Sequence, residues 1–169
     1  MASRPDRAYR IADRRRPILD GTGAFLYGGR WNSPGRRVIY AADTFAGALL
    51  EILVHARIGA VPRTHAWIEI AIPEDVAVEE LDPAAVPGWA EEESAAARAL
   101  GDRWYDERRS LLLVVPSVVT SGIGRNVLIN QDHPQFGHLT STVPAEVVWD
   151  ARLFHPPRRP LQSIEEPFE

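Results

Sequence analysis

Alternation of apolar and polar positions is clearest over residues 65–72. Ala66, Ile68, Ile70 and Ile72 share one face there, and Trp67, Glu69 and Ala71 the other. A period of two predicts a β-strand with one better-buried side, ended by Pro73. Residues 111–115 form an unbroken aliphatic run of strand length, which predicts a central strand buried on both faces. Shorter runs predict strands over 8–11, 37–41, 76–81, 125–130 and 145–149. Helical spacing appears at Phe45, Leu49, Ile52, Leu53 and Ala56 behind a cap at Asp43 or Thr44, with a stop at Gly59 and Pro62 beyond. Residues 91–100 predict a further helix, with Glu91, Glu92 and Glu93 in its first turn and Gly101 at its end. Strands mixed with two or three helices predict an α+β fold, a single domain around a mixed, mostly antiparallel sheet. No repeat or internal boundary interrupts the pattern; residues 156–169 read as a Pro/Arg-rich tail.

Within the first of these helices, residues 46–54 are apolar nearly all round, as expected of a helix buried on most faces, and Glu51 is the exception. A carboxylate in such a place needs a partner or a purpose, because an unpaired buried charge is costly. It either marks a solvated edge, pairs structurally with an arginine, or performs chemistry. A second site-like stretch is Tyr27-Gly28-Gly29-Arg30-Trp31-Asn32-Ser33-Pro34-Gly35. Its glycines let main chain approach a ligand while Arg30 reaches into it; the plainer alternative is a surface turn with a Trp–Arg stack. The turn at Pro34-Gly35 puts Arg30 and Tyr40 on either side of one corner. Ser117 ends the aliphatic run after Pro116, where a hydroxyl is either aimed into a cleft or satisfies backbone.

Composition removes several chemistries. The chain has no cysteine, and all 19 of its basic side chains are arginine. That excludes disulfides and thiolate sites, and also a Schiff-base lysine or a phosphate-loop lysine. The net charge of -4 argues against broad binding to a nucleic-acid backbone. Its distribution is uneven: residues 1–37 carry +6 and the remainder -10. A basic first third suits a phosphorylated small molecule, although Arg14, Arg15 and Arg16 also read as a solvated charge run. His133 and His138 are spaced unsuitably for one helix face and have no evident third ligand, so no metal is expected. The early glycines do not match a dinucleotide fingerprint, and no nucleophile elbow selects a serine hydrolase. With no membrane-length apolar run and no signal-peptide core, the expected location is the cytoplasm.

An arginine, a tyrosine, a glutamate and a serine remain. Such a set suits cleavage of an N-glycosidic bond in a phosphorylated nucleotide. The arginine can hold a pyrophosphate, the aromatic ring can stack on a departing base, and the carboxylate can stabilise an oxocarbenium-like centre.

These residues also stand in a family pattern. The stretch from Leu26 to Gly35, then Val38-Ile39-Tyr40, Ala48-Leu49-Leu50-Glu51-Ile52-Leu53-Val54-His55, Val115-Pro116-Ser117 and Asn130-Gln131-Asp132-His133-Pro134 together resemble the RES-domain family. The resemblance runs in order from about Tyr9 to Phe154, within a domain placed at residues 1–155 (core about 8–154). It implies a fold like that of ADP-ribosyltransferase toxins, and a bacterial toxin that depletes NAD by hydrolysis or phosphorolysis of the nicotinamide–ribose bond. It further implies neutralisation by an Xre-type helix-turn-helix antitoxin. By position, the catalytic set falls on Arg30, Tyr40, Glu51 and Ser117, and NAD binding on Arg30, Tyr27, Trp31, Asn32, Tyr40, Asn130 and His133. NAD would be substrate, with inorganic phosphate as a second reactant in phosphorolysis and no further cofactor. The family also implies a toxin homodimer within a larger complex; the net charge and the lack of a membrane-length apolar run argue against direct nucleic-acid or membrane contact. Two alternatives stay open: ADP-ribosylation of a specific protein, and a non-catalytic module that only binds the antitoxin.

Overall fold

A computed structural model describes residues 3–55 and 63–154. The predicted end of the first long helix, from Ala56 to Gly59 with Pro62 beyond, and the tail from residue 156 lie outside the described residues. In chain order the elements are β1 (Arg7–Asp13), α1 (Thr22–Tyr27), β2 (Val38–Ala42), α2 (Phe45–His55), β3 (His65–Ala71) and β4 (Val78–Glu80). They are followed by α3 (Ala95–Asp106), β5 (Leu112–Pro116), β6 (Arg125–Asn130), β7 (Thr140–Ser141) and β8 (Ala145–Glu146), with single 3-10 turns between some of them. The strands form one mixed sheet in the order β4-β5-β6-β2-β1-β3-β7, with β8 also on β3. Among the described residues only the β4–β5 pairing is parallel, so the α+β, mostly antiparallel expectation describes the fold.

The centre of the sheet is where the sequence is most apolar. Every residue of β5 is buried, because β4 and β6 flank it and both of its faces are covered. β6 shows the pleat directly: Val127 and Ile129 enter one core with Ile39, Ile68 and Ile70, whereas Leu128 enters a second with Trp31, Val38, Leu113 and Trp104. Burying each such aliphatic side chain contributes roughly 1.5–3 kcal/mol, so these strands are the rigid part from which the site projects. A third, smaller core packs α2 against β1 through Ile11, Ala42 and Ala48, rimmed by Tyr9, Phe45 and Trp67.

Four readings of the sequence change. α3 does not span 91–100. It begins behind Ser94, whose Oγ accepts from the Ala97 N–H, and runs to Asp106. The three glutamates precede the helix, and Gly101 lies inside it. A Cβ at Gly101 would sit 1.8 Å from the Trp31 carbonyl oxygen, so the glycine is there for a close helix–loop approach rather than for a stop. α2 is capped by Thr44, whose Oγ1 accepts from the Gly47 N–H. It is not buried on most faces: within it only Ala48 is buried, and Leu50 and Val54 are 41% and 61% exposed. One side of the helix covers the sheet and the other is open. Thr22–Tyr27 is helical where the sequence pattern predicts no element, for the run is under two turns long and shows too little periodicity to be recognised. The predicted strand over 145–149 shortens to two residues.

Candidate active site

The stretch around Arg30 is a tight turn. The Gly29 N–H donates to the Asn32 carbonyl (2.9 Å), which leaves Arg30 and Trp31 at the tip. The two tip residues part company there. Trp31 is buried in the second core, whereas Arg30 reaches across to residues 89–91, its Nη1 donating to the carbonyl of Trp89 (3.1 Å) and to that of Glu91. The turn is fastened to α3 at several points. Asp102 accepts from both the N–H and the Oγ of Ser33 (2.8 and 2.7 Å), Asp106 pairs with Arg36, and the Tyr105 hydroxyl accepts from the Arg37 N–H.

Tyr40 supports the same turn from β2. Its hydroxyl accepts from the Trp31 N–H (3.1 Å) and donates to Asn32 Oδ1 (2.7 Å), and burial pushes its pKa well above the usual phenol range, keeping it a neutral donor. Gly29 must lack a side chain because a Cβ would come within 2.5 Å of that hydroxyl. Asn32 is fully buried and also donates to the carbonyls of Ala24 and Ser33.

Across from the turn, Glu51 projects from α2 toward the end of β5. Ser117 Oγ donates to Glu51 Oε1 at 2.9 Å, and Asn126 Nδ2 donates to the same oxygen at 2.8 Å. Oε1 is fixed by two donors, and Oε2 has no hydrogen-bond partner among the described residues. Of the three readings of Glu51, pairing with an arginine is not seen among the described residues; its partners there are a hydroxyl and an amide. Asn126 was not anticipated from the sequence. It sits in β6 opposite Ala42 and Val115, and its Oδ1 is buried without a hydrogen-bond partner. The carboxylate fixes which end of the amide faces Glu51, so the oxygen is the end left over. A buried acceptor with no partner is unfavourable unless something else satisfies it. The only hint in the sequence was an amide directly before the apolar centre of a strand.

Between these two groups lies a cavity of about 610 Å³, lined by Tyr9 and Tyr40 from the sheet, Glu51 and Ile52 from α2, Asn126 from β6, Arg30 and Trp31 from the turn and Arg98 from α3. Tyr27 is at its rim, 84% exposed. The structure therefore brings Arg30, Tyr40 and Glu51 to one cavity and joins Ser117 to it through Glu51. Asn32 acts behind the wall by holding Tyr40. Asn130 and His133 are outside the lining. Asn130 donates to the Tyr105 carbonyl and accepts from the Asp132 N–H, and His133 Nδ1 accepts from the Gln135 N–H at the following 3-10 turn. Among the described residues no group of three or more His, Asp or Glu is placed to hold a metal ion. No described helix is long and apolar enough to cross a membrane.

Comparison with known proteins bears on this arrangement. The family model for the RES domain matches residues 7–150. The chain is 41% identical over 138 residues to "Toxin Res" of Pseudomonas putida, covering 80% of this chain and 92% of that protein. It is 35% identical over 139 residues to the "Prs ADP-ribosylating toxin" of Sphingobium sp., covering 80% and 86%. Among solved structures it is similar to a chain of the M. tuberculosis MbcT-MbcA toxin-antitoxin complex, with a TM-score of 0.68 and 22% identity over 84% of each chain, a likeness of fold.

Proposed function

The chain belongs to the RES-domain family, and on that premise we propose that it is the toxin of a toxin–antitoxin pair and acts by breaking the nicotinamide–ribose bond of NAD. The observation that carries this reading is Glu51, a carboxylate held through Oε1 by Ser117 and Asn126 in the wall of a cavity that Arg30 and Tyr40 also line. The chemistry asks little of the protein. The C1′–N1 bond breaks and its electron pair passes to the pyridinium nitrogen, so nicotinamide leaves neutral and the ribosyl carbon is left cationic. Glu51 Oε2, as a fixed negative charge, stabilises that cation and holds a ribose hydroxyl. Tyr40 orients the nicotinamide end with its ring, the hydroxyl being committed to the turn. Arg30 keeps Nε and Nη2 for phosphate.

Three acceptors fit the same electrophile. Water gives ADP-ribose and a proton, phosphate gives ADP-ribose 1″-phosphate, and a protein side chain gives an ADP-ribosylated protein. The name of the Sphingobium relative favours keeping the third beside the first two. Mass spectrometry of reactions with NAD, with and without inorganic phosphate and with cell extract, separates them; a modified protein without free ADP-ribose would replace the hydrolytic reading by the transferase one. We further propose action in the cytoplasm and an Xre-type antitoxin as partner of a toxin homodimer. Growth arrest by the chain alone, relieved by co-expression of the antitoxin, supports these; a harmless chain supports a pure binding module instead.

The two donors on Oε1 lead to a prediction. Ser117→Ala and Asn126→Ala are each expected to slow nicotinamide release about 10-fold or more, as loss of a hydrogen bond to a charged group does. The double variant should fall short of the product of the two, since both act on one oxygen. Full multiplicativity in a double-mutant cycle would show that they act on different groups.

A further inference from the structure

Three arginines border the cavity, and they differ in what their donors already hold. Arg10 is spent: Nε, Nη1 and Nη2 donate to the carbonyls of Ile18, Tyr40 and Asp20 at 2.5, 2.7 and 3.2 Å. The protein crowding its guanidinium pushes its pKa down to about 10, so it stays charged at neutral pH while serving the fold. Arg30 is half committed, through Nη1, to the carbonyls of Trp89 and Glu91. Arg98 is half-buried, lines the cavity, and has no hydrogen bond or ion pair from its side chain among the described residues.

Its place on α3 explains why it faces the site. Arg98 is four residues after Ser94, which also lines the cavity, and three before Gly101, which is pressed against the Trp31 carbonyl. Residues so spaced share one side of a helix, so Arg98 lies on the flank of α3 that meets the Arg30 turn. Both Arg98 and Arg30 are near enough to act electrostatically on the Tyr40 hydroxyl. Arg98 thus brings an uncommitted fork of N–H donors to the cavity that the half-committed Arg30 also lines, an arrangement suited to an anion with paired oxygens.

We infer that Arg98 is a second diphosphate-binding residue, which takes the diphosphate of the dinucleotide together with the free edge of Arg30. This rests on the NAD reading above and deepens it. Arg98 supplies a fork of N–H donors to paired phosphate oxygens, while Arg30 divides its donors between ligand and the wall formed by residues 89–91. Glu92, exposed on the same rim, opposes the anion and limits its affinity.

The test is inhibition of NAD cleavage by the two halves of the substrate, ADP-ribose and nicotinamide, in wild type, Arg98→Ala and Arg98→Lys. Alanine suits a helix interior, so the fold should survive, and thermal unfolding checks that. Arg98→Ala is expected to weaken ADP-ribose inhibition and raise KM for NAD by about 10- to 100-fold. The nicotinamide inhibition constant and kcat should stay nearly unchanged, and Arg98→Lys should fall between. Unchanged ADP-ribose inhibition in Arg98→Ala, or equal loss of inhibition by both halves, overturns the assignment while leaving NAD cleavage standing. A wild-type protein that does not cleave NAD overturns the functional reading and this inference with it.

Discussion

Glu51→Gln is expected to lower the rate of nicotinamide release from NAD about 100- to 1000-fold, the effect of removing one preorganised electrostatic group from a transition state. The substitution isolates charge from geometry. A glutamine oxygen can still accept from Ser117 Oγ and Asn126 Nδ2, which now converge on Oε1, so the side chain should keep its place and only the negative charge on the other arm disappears. KM and thermal stability should therefore change little while kcat collapses, and growth arrest should be lost with it. Equal rates for wild type and variant would remove Glu51 from the chemistry.

The second large effect belongs to stability. Gly101→Ala would drive a methyl group against the Trp31 carbonyl, 1.8 Å from the Cβ position. The atom it meets is main chain and cannot rotate away. α3 must separate from the turn, and that strains the Ser33–Asp102 pair and exposes Trp31. The expected cost is about 3 kcal/mol or more, a fall in Tm of roughly 10 °C for a chain of this size. A helix-interior glycine replaced by alanine would otherwise gain up to about 1 kcal/mol, so the sign of the effect distinguishes the two accounts. Arg30 would lose its support in the same variant, and activity should fall at temperatures where the protein is still folded.

Much of this was legible in the residues, and what was not has identifiable causes. Strands with strict alternation or unbroken aliphatic runs, such as β3, β5 and β6, stand out because burial on one or both faces leaves a periodic record. Glu51 stands out for the opposite reason, as a carboxylate with no apolar excuse. The start of α3 was misplaced because Glu91, Glu92 and Glu93 imitate the acids of a first turn while the true cap is the hydroxyl of Ser94. Gly101 imitated a stop because the carbonyl it accommodates is 70 residues away in sequence. α2 looked buried all round because composition does not record which side of a helix is left uncovered. Asn126 and Arg98 were passed over, the first among the polar ends of a short strand and the second in a charged helix. Their meaning lies in partners, Glu51 for one and none among the described residues for the other, and only the fold sets these.

The central claim is that the cavity around Glu51 cleaves NAD. It is tested most directly by incubating the purified chain with NAD and following nicotinamide and NAD together by NMR. Nicotinamide is expected to appear one-for-one with NAD lost, and about 100- to 1000-fold more slowly with Glu51→Gln. NAD that stays intact in the presence of folded wild-type protein, with and without phosphate, would contradict it.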